Sequence, residues 1–221
     1  MNKESVFRIL ETGISELVDT FLARPYAFYT ESDLHCFLYH TLCNLGLNQD
    51  CRCKVNGRHV ESVLLHKEYP TKGRYRRRRN AESTIEDRGA RGHFDISVWD
   101  RELTERRQFR APIGGGEQRT LAAVELSLNE HHKNFQWHVY WDLRKLKDPK
   151  NEVEWGIILF FVRDYPYSKT HFPKDDFIRI LHEMFGNENK VPIVYVEKLG
   201  LKERKGVVSR ASFLDYPSLE P

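Results

Sequence analysis

The feature that most constrains this chain is the nearly continuous apolar run Trp155-Gly156-Ile157-Ile158-Leu159-Phe160-Phe161-Val162. Eight residues are too few for a membrane span and carry no helical periodicity, and the run lacks the polar alternation of a strand with one wet face. It reads as a central β-strand buried on both faces, so other elements must cover the sheet above and below. Helical patterns supply the cover. Val6, Ile9, Leu10, Ile14, Leu17, Val18, Phe21 and Leu22 recur at three- and four-residue steps, one stripe of an α-helix that stops before Pro25. Thr30 with Asp33 forms a capping pair that opens a second helix, running through Leu34, Phe37, Leu38 and Leu42 to Gly46.

Strand patterns follow at Val60–Tyr69, His93–Trp99 and Leu121–Leu128. A helix is predicted over Phe135–Leu146, then the apolar strand, a helix over Lys174–Phe185 and a strand over Val191–Val196. Arg101–Thr120, with Pro112-Ile113-Gly114-Gly115-Gly116, reads as a connection, and the residues after Leu201 as a flexible tail. The predicted fold is α/β: one domain over residues 1–221, with a mixed central sheet flanked by helices. No stretch approaches a membrane span, and Met1-Asn2-Lys3-Glu4-Ser5 lacks the basic-then-apolar pattern of a secretory leader. The expectation is an intracellular, cytoplasmic protein without a membrane partner, in which Cys36, Cys43, Cys51 and Cys53 stay reduced.

The net charge of +3 is unevenly placed. From Lys67 to Gly92 there are nine basic residues and four acidic ones, so this segment alone carries +5 and the remainder about −2. Arg74, Arg76, Arg77, Arg78, Arg79 and Arg91 are the candidate phosphate contacts within it.

Two strands carry the candidate chemistry. Period two places His93, Asp95 and Ser97 on one face and Phe94, Ile96 and Val98 on the other, and likewise sets Glu125 and Ser127 against Val124, Leu126 and Leu128. If the strands pair with Asp95 near Glu125, two carboxylates meet, a hard-oxygen site for Mg²⁺ or Mn²⁺. Glu31, in the first turn of the second helix, is a third acidic candidate, although an acid there is favoured by the helix dipole alone. A zinc site from the four cysteines with His35 and His40 has poor spacing, and His131-His132 reads as a polar helix start. Ser127 has no Gly-x-Ser-x-Gly elbow, and Gly114-Gly115-Gly116 lacks the Lys-Ser/Thr of a phosphate loop.

Gly92-His93-Phe94-Asp95-Ile96 and Val124-Glu125-Leu126-Ser127, on consecutive strands after a helix bearing Glu31, resemble the motifs of the PD-(D/E)xK nuclease superfamily, over roughly residues 30–200. The resemblance implies a restriction-endonuclease-like αβββαβ core and hydrolysis of DNA phosphodiesters, with Asp95, Glu125 and Glu31 holding Mg²⁺ or Mn²⁺ that polarises the phosphoryl group and activates water. The family's lysine, two residues past the Glu, is replaced by Ser127, and a neutral hydroxyl cannot supply that charge. Lys133 or His93 substitutes for it, a second metal serves, or the chain has lost cleavage and kept binding of nucleic acid or a protein partner. A homodimer or a partner protein supplying specificity is a further expectation, because no separate DNA-reading module is evident.

Overall fold

The computed structural model describes residues 1–74, 91–106, 108–109, 119–129, 135–164, 179, 183 and 191–207, with backbone alone at 74, 91, 108–109, 129, 135–137 and 207. The predicted helix over Lys174–Phe185 falls almost wholly outside these residues. Helix α1 (Lys3–Ala23) buries Val6, Leu10, Ile14, Leu17, Val18, Phe21 and Leu22, which is the predicted stripe with Ile9 at its half-buried margin. The Asn2 side chain accepts from Ser5 N–H and caps its start. Helix α2 (Glu31–Asn44) opens with the expected box, Thr30 N–H donating to Asp33 Oδ2 at 2.7 Å. That bond holds the Asp33 carboxyl below its ordinary range. The two helices cross so closely at Gly13 that a Cβ there would lie 2.7 Å from Leu42 Cδ2.

The sheet is mixed and six-stranded, in the order β3-β4-β6-β7-β8-β9. Its strands are β3 (Leu65–Arg74), β4 (Arg91–Trp99), β6 (Thr120–Asn129), β7 (Val153–Arg163), β8 (Ile193–Leu199) and β9 (Lys202–Val207). Antiparallel pairing joins β3 to β4, β4 to β6 and β8 to β9, whereas β6, β7 and β8 run parallel. The parallel step from β6 to β7 is bridged by α4 (Phe135–Lys147). Helices α1 and α2 cover one face, over Ile96, Val98, Val124, Leu126, Ile157, Leu159 and Phe161. Helix α4 covers the other through Val139, Leu143 and Leu146, against Ala123, Ile158 and Phe160. The apolar run is therefore buried on both faces, under α1 and α2 on one side and α4 on the other, as its lack of alternation requires.

Three readings of the sequence are revised. Val60–Tyr69 is two strands: β2 (Arg58–Val63) pairs with β1 (Asp50–Val55), and β3 starts after a bend at Leu64. With β5 (Gln108–Phe109), β1 and β2 form a second sheet of order β2-β1-β5, and the expected connection after Trp99 also contains helix α3 (Arg101–Arg106). Leu201 leads into edge strand β9, whose charged residues pair with β8 through backbone bonds that side-chain patterning does not reveal. Among the described residues no helix is long and apolar enough to cross a membrane.

Candidate functional site

The β4–β6 ladder ends at Ile96↔Val124, so Asp95 and Glu125 each lie one residue beyond the last pair. There the Asp95 carboxylate takes the place of a backbone acceptor: Leu126 N–H donates to Asp95 Oδ2 at 2.7 Å. On the other side of β4, Glu68 occupies the register position facing Asp95 and has a left-handed φ of 54°, a strained geometry for a non-glycine residue within a strand. These two departures break the period-two pattern. Phe94 and Ile96, placed on one face by the sequence, lie in different core clusters, and Ser97 is fully buried. Beyond Ile96↔Val124 no further β4–β6 pair forms among the described residues, and this unpaired end of the two strands, where β6, β7 and β8 also finish, is the cleft that concerns the candidate residues.

Helix α2 reaches into that cleft. His35 Nε2 lies 3.4 Å from Asp95 Oδ2 and 3.9 Å from Glu31 Oε1, one turn earlier on the helix. His35 is buried, and neither ring nitrogen has a hydrogen-bond partner among the described residues. Burial pushes its pKa below the ordinary range against the pull of Asp95, so the ring stays neutral with a lone pair to offer.

From the opposite face α4 contributes a cation. Lys145 Nζ lies 2.7 Å from Glu125 Oε2, 2.9 Å from Asp142 Oδ1 and 3.1 Å from the His93 carbonyl oxygen. Asn151, in the turn after α4, fixes this end of the helix by donating to the Lys145 carbonyl at 2.7 Å and accepting from Gly73 N–H at 3.0 Å. Glu125 is 1% exposed, and its Oε1 has no donor among the described residues. Burial drives the Glu125 carboxyl well above its usual range; Lys145 offsets part of this, while Asp95 and Asp142 add to it. Asp142 is raised for the same reason, burial first. Burial alone disfavours the Lys145 ammonium, but Glu125, Asp142 and Asp95 outweigh it and hold Lys145 protonated.

The sequence candidates are thus placed as follows. Asp95 lies near both His35, which borders Glu31, and Glu125, whose carboxyl it influences through its charge, but among the described residues the three acids do not form a single cluster. His93 is exposed and contributes its backbone carbonyl. Ser127 is buried on β6 two residues past Glu125, beside Phe160 of β7 in the ladder. Lys133, Arg76, Arg77, Arg78 and Arg79 lie outside the described residues, as does His131-His132. Arg74 and Arg91 are known by backbone alone, paired at the open end of the β3–β4 ladder. Sequence reasoning missed Lys145, Asp142 and His35 as site residues. The Asp142-x-x-Lys145 spacing puts both charges on the face of α4 that also carries Val139, Leu143 and Leu146, and charges on a core-facing stripe were the available signal.

The cysteines form no site. All four are free thiols; Cys36 and Cys43 sit on α2, Cys51 and Cys53 are buried on β1, and burial pushes the Cys51 thiol up to about 11. Among the described residues no group of three or more His, Cys, Asp and Glu side chains forms a ready cage for a metal ion. The cleft offers Asp95 and Glu125, one of whose buried oxygens lacks a donor, beside a neutral imidazole. A donor set of one or two carboxylates suits Mg²⁺, which fills its remaining positions with water and substrate oxygens. Compared with protein-family models, curated protein sequences and solved structures, the chain matches none of them.

Proposed function

We propose that the chain is a metal-dependent nuclease that hydrolyses phosphodiester bonds in DNA. The observation that carries this reading is Lys145: an ammonium from α4 seated against Glu125, beside the cleft where Asp95 lies. It supplies, from another element, the positive charge that Ser127 cannot supply from β6. The order of β3, β4 and β6, then α4, then β7 parallel to β6 supports a restriction-endonuclease-like core, as do the helix and Glu31 that precede it.

In this reading Asp95 and Glu125 hold Mg²⁺ or Mn²⁺, which when bound neutralises phosphate charge and acidifies water. Glu125 Oε1 is the buried oxygen left free for that purpose, and the raised pKa of Glu125 expresses a site that needs either a proton or a cation. Leu126 N–H fixes the Asp95 carboxylate, so its approach to the cleft is set by the backbone of β6. Lys145, held protonated, stabilises the negative charge that builds on the phosphoryl oxygens and orients the attacking water; it does not accept that water's proton. His35 and Glu31 add donor atoms on the α2 side. The arginines between positions 74 and 91, which follow β3 and precede β4 in the sequence, are proposed to hold the DNA backbone.

The test is cleavage by the purified chain with Mg²⁺, Mn²⁺ or EDTA. Metal-dependent cleavage lost in Asp95→Asn and in Lys145→Met supports the reading; cleavage unchanged in both sinks it. A second reading, a nuclease-like chain that binds nucleic acid or a protein partner without cutting, is motivated by Ser127 and predicts salt-sensitive binding with no cleavage under any of these conditions.

A further inference from the structure

Resting on the nuclease reading, we propose that the substrate presents unpaired bases at the cleft, and that Tyr29 and Tyr26 are the surface on which those bases stack. Among the described residues three large hydrophobic side chains are exposed: Tyr26 at 56%, Tyr29 at 82% and Leu201 fully. Exposed hydrophobic residues scattered singly need no explanation, but these three share one end of the sheet. The Tyr26 hydroxyl donates to the Asp164 carbonyl at 3.0 Å, just past the end of β7. Asp164 N–H in turn bonds Lys198 O at 3.3 Å, next to the β8–β9 turn that carries Leu201. Beneath the tyrosines lies Arg163, buried, with its guanidinium 5.5 Å from the Tyr26 ring centroid. Arg163 also donates to the carbonyls of Pro25 at 2.8 Å, Tyr29 at 3.3 Å and Phe28.

The turn between α1 and α2 is therefore fixed from below while its two tyrosine rings face outward. Tyr29 is two residues from Glu31, whose carboxylate borders His35 and the Asp95 cleft. This is also the end at which β4 and β6 part and from which the arginine-rich stretch of sequence leaves β3 and returns to β4. Exposed aromatic rings on a fixed backbone are a stacking platform for a single strand, since every base has a face to stack whatever its identity. A duplex keeps those faces stacked internally and gains nothing from the tyrosines. The favoured substrate is accordingly a single strand, or a duplex with an unpaired flap.

The experiment measures fluorescence anisotropy of a labelled single-stranded oligonucleotide and of its blunt duplex, in EDTA so that no cleavage occurs. The full chain is compared with Tyr29→Ala, Tyr29→Phe and Tyr26→Ala. Tyr29→Ala is expected to weaken single-strand binding by about 10-fold or more, leaving duplex binding within about 2-fold and Tyr29→Phe near the parent. Equal loss on both substrates, no loss on either, or a preference for duplex overturns the proposal. So does absence of binding to both, or binding that responds to Tyr29 only in the presence of a protein partner. Cleavage is scored separately with Mn²⁺. A chain that binds single strands through Tyr29 without cutting refutes the nuclease reading alone, whereas cutting indifferent to Tyr29→Ala refutes the stacking alone.

Discussion

Replacing Lys145 with methionine keeps most of the side-chain volume and removes the charge. In the folded chain the ammonium lies 2.7 Å from Glu125 Oε2 and 2.9 Å from Asp142 Oδ1, and its side chain is 12% exposed. Removing one member of a buried charge pair leaves the other desolvated without compensation, a loss of about 3–5 kcal/mol. The loss depends on pH, and its sign follows from Glu125 and Asp142. Both carboxyls are already raised by burial above their ordinary values of 4.5 and 3.8, with Lys145 opposing the shift. Without Lys145 they rise further, so the folded state binds more protons than the unfolded state across the widened interval. Stability then falls as pH climbs from the unfolded values through the raised folded ones. Lys145→Met is therefore expected to approach the parent's stability in acid, below about pH 4, and to show its full deficit near neutrality. Guanidinium denaturation at a series of pH values reads this directly. A deficit below about 1 kcal/mol, typical of a surface pair, or one that is constant with pH, refutes the buried-cluster account.

Glu125→Gln keeps the shape of a protonated carboxyl and leaves Lys145 its ion pair with Asp142, so without metal it is expected to cost less stability at neutral pH than Lys145→Met while abolishing cleavage; an equal or larger loss in denaturant unfolding contradicts the raised pKa. Ser127→Lys should lower stability in the parent, where Lys145 already fills the cleft, yet restore cleavage in Lys145→Met by returning the charge from β6; double-variant assays decide this. Gly13→Val places atoms into Leu42, closer than 3 Å, and is expected to cost about 1–3 kcal/mol in denaturant unfolding. Arg163→Met removes the donors to the α1–α2 turn and should both destabilise the fold by about 3 kcal/mol and loosen the Tyr29 region in hydrogen exchange.

Local patterns in the sequence revealed much of the scaffold. The α1 stripe, the Thr30–Asp33 box and the run from Trp155 to Val162 each encode their environment in a single segment, and each has the predicted place. Asp95 and Glu125 were visible because each is an acid in an otherwise apolar strand. Their surroundings were not. The face assignment around Asp95 failed because a side-chain carboxylate, not a backbone carbonyl, takes the Leu126 N–H, and the bend at Glu68 answers it across the ladder. Neither follows from hydrophobic period. Lys145 lies twenty residues from Glu125, and only the parallel crossover through α4 brings the two together. Lys133, favoured by its sequence distance from Ser127, lies outside the described residues; in the proposed reading the charge comes instead from Lys145 in the last turn of α4. Strand β1 alternates exposed charges with buried Cys51, Cys53 and Val55, a pattern hidden when its two cysteines are weighed as metal ligands rather than as core residues; edge strand β9 is largely charged and takes its order from pairing with β8.

The most direct test of the account is a cleavage assay on single- and double-stranded DNA with Mn²⁺, Mg²⁺ or EDTA, using the parent chain, Asp95→Asn, Glu125→Gln and Lys145→Met, each checked for folding. The account predicts cutting by the parent that requires metal and disappears in all three variants. Cutting that survives in folded Asp95→Asn or Lys145→Met, or a folded parent that neither cuts nor binds Mn²⁺, contradicts it.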